Sequence, residues 1–153
     1  MILTALVIAG AAFYIAHIVK DTDRIRILEI RDTSSKKLYG KWPLEKTGEF
    51  AVEFIHSVHQ SPVHEIFMAE GKEIRPHAVR FSSFGAGMLS DLGEGKKITR
   101  DNDTLVISGF DLSFRELNYI VGTVSDHLLF INGETISLRE LCEKNAHIVF
   151  KIR

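Results

Sequence analysis

The fold is decided by FAVEFIHSVHQSPVHEIFMA, residues 50–69, in which two apolar runs flank a polar break. Apolar and polar side chains alternate in both runs, and this period of two is typical of half-buried strands. The residues that share one face are Phe50, Val52, Phe54 and His56 in the first run, and Val63, Glu65 and Phe67 in the second. The stretch therefore predicts a β-hairpin that places His56 and Glu65 near the same end of a sheet.

Further short strands are predicted on both sides of this hairpin. Alternating or apolar runs mark residues 24–31, 73–81, 104–108, 118–124, 126–131 and 147–152. Asn132-Gly133 is a strong hairpin signal that turns the chain back into residues 134–137. Pro43 confines residues 38–44 to an edge strand or a loop, and residues 96–103 are predicted to form a solvated turn. About eight to ten strands with closely spaced turns predict a mainly β fold, either an antiparallel sandwich or a barrel.

One helical turn is predicted after the last of these hairpins. Ser137 is an acceptable N-cap for residues 138–141, and Glu140 stands three residues later, where a capping box requires Glu or Gln. No alternation of strands with longer helices is visible along the chain, and the pattern therefore gives no indication of a parallel sheet.

The N-terminal segment is different from the rest of the chain. Residues 1–19, MILTALVIAGAAFYIAHIV, are almost wholly apolar, and a run of roughly 18 apolar residues is long enough to span a bilayer as a helix. An uncleaved anchor, a cleaved signal peptide and a buried helix are the three interpretations. We favour the anchor because no Lys or Arg precedes the run, whereas a signal peptide usually begins with a basic region. Residues 1–20 are thus predicted to be a membrane anchor or signal segment, and residues 21–153 one all-β domain.

Composition excludes several functions. The formal net charge is -1, and a nearly neutral chain lacks the basic surface that nucleic acid binding requires. Cys142 is the single cysteine, so the chain has neither an internal disulfide nor a cysteine-rich zinc site. We expect Cys142 to be a small buried apolar residue.

Hydrolytic chemistry has weak support in this sequence. Ser57 lies beside His56, but neighbours on a strand point to opposite faces, which makes His56 a poor base for Ser57. The chain also lacks the Gly-x-Ser-x-Gly turn that presents a nucleophilic serine in one large class of hydrolases. We therefore predict no catalytic residue and no cofactor, and a non-enzymatic role is favoured.

A metal site is the second chemical hypothesis. His56, Glu65 and His127 are candidate ligands, because two histidines and a carboxylate suit zinc or iron and a sheet can bring distant strands together. The alternative is that these histidines are hydrogen bonded and support loops. A third hypothesis is a small-molecule pocket lined by the rings of Phe54, Phe81 and Phe84.

Three segments together resemble the DUF1850 family of bacterial domains of unknown function. They are FIHSV with SPVHE at residues 54–58 and 61–65, FSSFGAGM at residues 81–88, and the segment from Gly122 to Leu128 that contains Asp126-His127. The resemblance extends from about residue 25 to residue 152. Its candidate residues for ligand or partner binding are His56, Ser57, Val58, Pro62, Glu65, Phe84, Gly85, Gly87 and His127.

The resemblance implies an accessory role. Members are small exported or membrane-anchored proteins, and they are often encoded beside TRAP-type transporters whose solute receptors belong to the TAXI group. Transporter subunits or the solute receptor are therefore the expected partners, besides the membrane itself.

The orientation in the membrane is indicated by two conflicting signals. Lys20, Arg24 and Arg26 follow the apolar segment, and the positive-inside rule then places the domain in the cytoplasm. The resemblance favours the extracytoplasmic side. We expect a single-pass protein of the cytoplasmic membrane with its domain outside, because long domains cross the membrane despite modest flanking charge.

Overall fold

The computed structural model describes residues 25–57, 60–82 and 95–153. The predicted anchor or signal segment, residues 1–20, lies outside the described residues, as do Val58, Phe84, Gly85 and Gly87. The strands are β1 (Ile27–Asp32), β2 (Leu38–Pro43), β3 (Glu49–Ile55), β4 (Pro62–Glu70), β5 (Glu73–Phe81), β6 (Lys97–Asp101), β7 (Thr104–Ser108), β8 (Leu117–Ile120), β9 (His127–Ile131), β10 (Glu134–Ser137) and β11 (His147–Ile152), and the helix is α1 (Leu138–Cys142).

These strands form two antiparallel sheets. The smaller sheet has the order β2-β1-β11-β8, and the larger has the order β10-β9-β3-β4-β5-β7-β6. Each sheet has one edge strand on either side, so the described residues contain no closed barrel. The predicted mainly β fold is therefore confirmed, as two open sheets. The prediction of an edge strand at Pro43 is also confirmed, since β2 lies at the edge of the smaller sheet.

The two sheets share one hydrophobic core. Phe50 of β3 and Phe150 of β11 are almost completely buried, and their rings stack across the two sheets with centroids 6.2 Å apart. Phe67 of β4 also stacks on Phe50, with centroids 5.4 Å apart. Burial of a Phe side chain of this kind contributes about 1.5–3 kcal/mol, so these rings account for much of the attraction between the sheets.

The register of the larger sheet decides which predicted residues face this core. Val52 pairs with Glu65, and Phe54 pairs with Val63 on one side and with His127 of β9 on the other. Because side chains alternate along a strand, Glu65 and His127 lie on the same face as the buried Val52. The predicted hairpin and its inner face are thus confirmed.

Two strand predictions were wrong in detail. Residues 96–103 were expected to be a turn, but Lys97–Asp101 forms the edge strand β6 and only Asn102 and Asp103 turn the chain. All five residues of β6 are exposed, so no buried face leaves an alternating pattern in the sequence. The strand expected over residues 118–124 is shorter, since β8 ends at Ile120 and its last residue before the loop pairs with His147.

The short-range signals near the C-terminus are confirmed. Asn132 and Gly133 have φ angles of 51° and 77°, the positive values that a tight hairpin turn requires. Ser137 caps α1, and its Oγ accepts the backbone N–H of Glu140 at 3.0 Å.

None of the helices in the part of the chain that the structure describes is long and apolar enough to span a bilayer.

Arg26 fastens the start of the domain to the larger sheet. Its guanidinium donates to the carbonyl oxygen of Ala69 at 2.5 Å and to that of Lys46 at 2.6 Å. A Cβ on Gly48 would lie 2.7 Å from Nη1 of Arg26, so the glycine leaves the room that this side chain occupies. The guanidinium of Arg26 therefore stabilises the fold through these two hydrogen bonds.

Candidate functional site

Three of the predicted site residues that the structure describes lie where β3 ends and β4 begins, and backbone hydrogen bonds close the chain there. The backbone N–H of His56 donates to the carbonyl oxygen of Ser61 at 2.9 Å, and the N–H of Gln60 donates to the carbonyl oxygen of His56 at 2.8 Å. His56 is half-buried, whereas Ser57 and Pro62 are exposed. These three residues thus lie at the end of the larger sheet where β3 ends and β4 begins.

Glu65 makes a contact that links the two sheets. The hydroxyl of Tyr119 in β8 donates to Oε2 of Glu65 at 2.6 Å, although the two residues are 54 positions apart. The Tyr119 ring packs edge-on against Phe150, with centroids 5.3 Å apart. Aromatic packing therefore fixes the ring, and the hydroxyl is held against the carboxyl group of Glu65.

The second oxygen of this carboxyl group, Oε1, has no hydrogen-bond partner among the described residues. Within the described ranges, Glu65 also forms no ion pair with a Lys, Arg or His. Glu65 also lines a cavity, so its carboxyl group is within reach of a molecule bound there.

Burial determines the electrostatics of this pair. Removal from water raises the pKa of Glu65, and the hydrogen bond from Tyr119 opposes that rise only in part. Burial and the neighbouring carboxyl group of Glu65 raise the pKa of Tyr119. The phenol therefore keeps its proton and acts as the donor, and the carboxyl group pays an energetic cost when it ionises.

His127 belongs to the same cluster but is engaged by the backbone. Its Nδ1 accepts the N–H of Gly122 at 3.1 Å, which places the ring proton of the neutral form on Nε2. The ring stacks on Phe54 at 5.4 Å and meets the Tyr119 ring edge-on at 6.0 Å. Burial, followed by the nearby Arg139, lowers the pKa of His127 more than Asp126 raises it. These contacts match the alternative interpretation of His127 as a loop-supporting residue.

The remaining residues of the third motif also hold this loop. Asp126 accepts the Ser137 hydroxyl at 2.5 Å through Oδ2 and the backbone N–H of Arg139 at 3.0 Å through Oδ1. The guanidinium of Arg139 donates to the carbonyl oxygen of Gly122 at 3.1 Å. The loop between β8 and β9 is therefore tied to the first turn of α1 by the Asp126 side chain of the motif and by the Arg139 side chain of the helix.

A cavity of about 350 Å³ opens beside the Glu65–Tyr119 pair. Its walls come from β4, β5, β8 and the segment between β7 and β8, and they are mainly apolar. The aromatic rings and polar side chains that line it are Phe67, Phe110, Phe114, Tyr119, Glu65 and Asn118. Sites for small ligands are commonly cavities of about 300–1,000 Å³ with apolar walls and a few placed polar groups. This cavity has both properties.

The structure brings together only part of the set predicted from the sequence. Glu65 and His127 both contact Tyr119, a residue that the sequence analysis placed in a strand without assigning it a role. The pocket hypothesis placed an opening at Phe54 and Phe81, but neither ring lines the cavity beside Glu65. An alternating strand gives Tyr119 an inward direction, but only the packing of the two sheets reveals that it meets Glu65.

The metal hypothesis concerned residues that the structure describes. Among the described residues, which include His56, Glu65 and His127, no group of three or more His, Cys, Asp or Glu side chains is arranged to hold a metal ion.

The fold and the cavity define a class, a small domain of two antiparallel sheets with a ligand-sized cavity next to a half-buried acid. A model of DUF1850, a domain of unknown function, matches residues 50–138, which is more than half of the chain. The chain therefore belongs to the DUF1850 family, and the resemblance seen in its motifs is confirmed. No curated protein matches the chain, and no solved structure matches it.

Proposed function

We propose that this protein is a non-enzymatic accessory protein, anchored in the cytoplasmic membrane, that works with a TRAP-type transporter of the TAXI group. Its domain stands on the extracytoplasmic side and binds a small molecule in the cavity beside Glu65. The cavity is the observation that carries the binding function, because it is ligand-sized, mainly apolar and supplied with a preformed polar pair.

Binding fits the contacts around the cavity better than catalysis does. A hydrolase needs a nucleophile beside a base that a third group orients. Nδ1 of His127, the nitrogen that could act as a base, instead accepts the backbone N–H of Gly122. Ser57 is exposed on the β3–β4 connection. The side chains of the cluster are thus held in fixed positions, which suits binding of a ligand.

The basic residues that follow the apolar segment are a modest signal against the proposed orientation. The positive-inside rule counts Lys20, Arg24 and Arg26 as one basic flank. Long domains cross the membrane despite a flank of this strength, so the flank is compatible with export of the domain.

The binding function is tested with 2-phenylethanol as the probe and the full-length chain in detergent. Binding to the folded state alone raises the midpoint of urea unfolding, and the rise grows with the probe concentration. Trp42, the single tryptophan, packs against the core and reports the transition. We expect the probe to raise the midpoint of the wild type, and Val79→Trp to abolish that rise because Val79 lines the cavity.

Val106→Trp is the matched control for this experiment. Val106 lies on the neighbouring strand β7, packs with the cluster on the outer face of the larger sheet and does not line the cavity. Its response to the probe should equal that of the wild type. Equal responses from the Val79 and Val106 variants, or no response from the wild type, would contradict binding in the cavity.

The proposed orientation is tested by labelling a single introduced thiol. Val124 is 95% exposed, whereas the natural Cys142 is 1% exposed and gives little background. We expect a membrane-impermeant maleimide to label Val124→Cys in cells whose outer barrier has been opened and whose cytoplasmic membrane is intact. Labelling that appears only after the cytoplasmic membrane is broken would place the domain in the cytoplasm.

A further inference from the structure

The cavity is lined by an acid whose charge no described residue compensates. Glu65 lies on the inner face of β4, and its one hydrogen-bond partner among the described residues is the neutral hydroxyl of Tyr119. Buried charges in proteins are normally paired with an opposite charge. Because Glu65 has no cationic partner within the described ranges, a cation that reached Oε1 would supply the missing charge.

The residues that line the cavity disfavour a negatively charged ligand. None of the described residues that line it is Lys, Arg or His. A carboxylate or phosphate in this space would lose its water without gaining a cationic partner, and it would be repelled when Glu65 is ionised. Anionic molecules are therefore disfavoured by desolvation and by charge.

The other residues that line the cavity favour a ligand with an apolar body. Phe67, Phe110 and Phe114 contribute aromatic rings, and Leu117 lines the same space. Aromatic faces attract ammonium groups as well as apolar surface, because the face of the ring carries partial negative charge. A volume of about 350 Å³ lies at the small end of ligand cavities and suits a small molecule.

We infer that the cavity binds small molecules that combine an apolar, preferably aromatic, body with a primary ammonium group, and that the ammonium donates to Oε1 of Glu65. This inference rests on the proposed binding function and adds the chemical class of the ligand. The raised pKa of Glu65 in the empty domain agrees with it, since an uncompensated carboxylate is costly there and an ammonium removes that cost.

The test compares three probes of nearly equal size at pH 7 on the full-length chain: 2-phenylethylamine, 2-phenylethanol and phenylacetate. Dissociation constants are obtained from the shift of the urea midpoint with probe concentration. We expect the amine to bind at least about tenfold more tightly than the alcohol, and phenylacetate to bind more weakly than both. This rank order is measured on the wild type and does not depend on any variant folding.

Two substitutions assign the preference to one carboxyl group. Glu65→Gln should reduce the advantage of the amine over the alcohol to less than about twofold while the alcohol still binds. Glu53→Gln is the matched control, because Glu53 lies on the opposite face of the same sheet, 3.3 Å from Nδ1 of His64, and should leave the ratio unchanged.

The outcomes separate the ligand class from the binding function. If the alcohol binds but the amine has no advantage, or if Glu65→Gln leaves the advantage intact, the inferred ligand class is wrong and the binding function stands. Phenylacetate binding as tightly as the amine would also overturn the inferred class. If none of the three probes shifts the midpoint, the proposed binding function itself fails together with this inference.

Discussion

Phe150→Ala is expected to remove about 3–5 kcal/mol from the free energy of unfolding, the largest loss that we predict for a single substitution. The Phe150 side chain is fully buried, stacks on the ring of Phe50 at 6.2 Å and meets the ring of Tyr119 edge-on at 5.3 Å. Its removal leaves a cavity between the sheets that the rigid backbones of β3 and β11 cannot close. Urea unfolding monitored by Trp42 fluorescence measures the loss.

Phe130→Ala is the control for ring removal from a less enclosed position. Phe130 is only half-buried on the outer face of β9, where it packs beside Ala51 and touches the His64 ring edge-on at 5.0 Å. We expect it to cost less than half as much as Phe150→Ala. Equal losses in the two variants would show that the core between the sheets is not the main source of stability.

Gly122→Ala is expected to cost about 2–3 kcal/mol, because the added methyl group overpacks a closed loop. A Cβ on Gly122 would lie 2.1 Å from the carbonyl oxygen of Ser125 and 3.2 Å from Nδ1 of His127. The first clash is with backbone, so the loop itself must move. That movement breaks the bond between the Gly122 N–H and His127, and the ring resonances of His127 in NMR spectra should shift with the loss of stability.

Gly133→Ala separates this clash from the general cost of replacing a glycine. Gly133 has a φ of 77°, and nothing lies within 4 Å of the Cβ that would be added there. Its substitution should cost about 1–2 kcal/mol through backbone strain alone, and it should leave the His127 resonances in place. Unshifted His127 resonances in Gly122→Ala would contradict the contact on which this prediction depends.

The sequence predicts the strands well where one face is buried and poorly where none is. Residues 73–81, 104–108 and 147–152 were predicted with the bounds that the structure gives. Each has buried positions that leave a pattern of apolar residues. The edge strand β6 has only exposed positions, and its partner β7 fixes it by backbone hydrogen bonds that no side-chain pattern reveals.

The candidate site could be predicted only in part for a related reason. The alternation of Val63, Glu65 and Phe67 places Glu65 on the inner face, and the register confirms that placement. The partner of Glu65 depends on how the two sheets pack, and no local pattern relates Tyr119 to a residue 54 positions away. The segment between β7 and β8, which forms one wall of the cavity, has no periodicity and predicts no structure from its sequence.

The position of β1 in its sheet determines how the domain responds to mechanical force. β1 lies between β2 and β11, and at its first residue the backbone N–H of Ile27 donates to the carbonyl oxygen of Arg153 at 3.0 Å. A pull on the chain ahead of Ile27 therefore acts along the strand and loads two ladders of hydrogen bonds in shear. Bonds loaded in this way must break together, so tension at this point is shared across the smaller sheet before any strand can peel away.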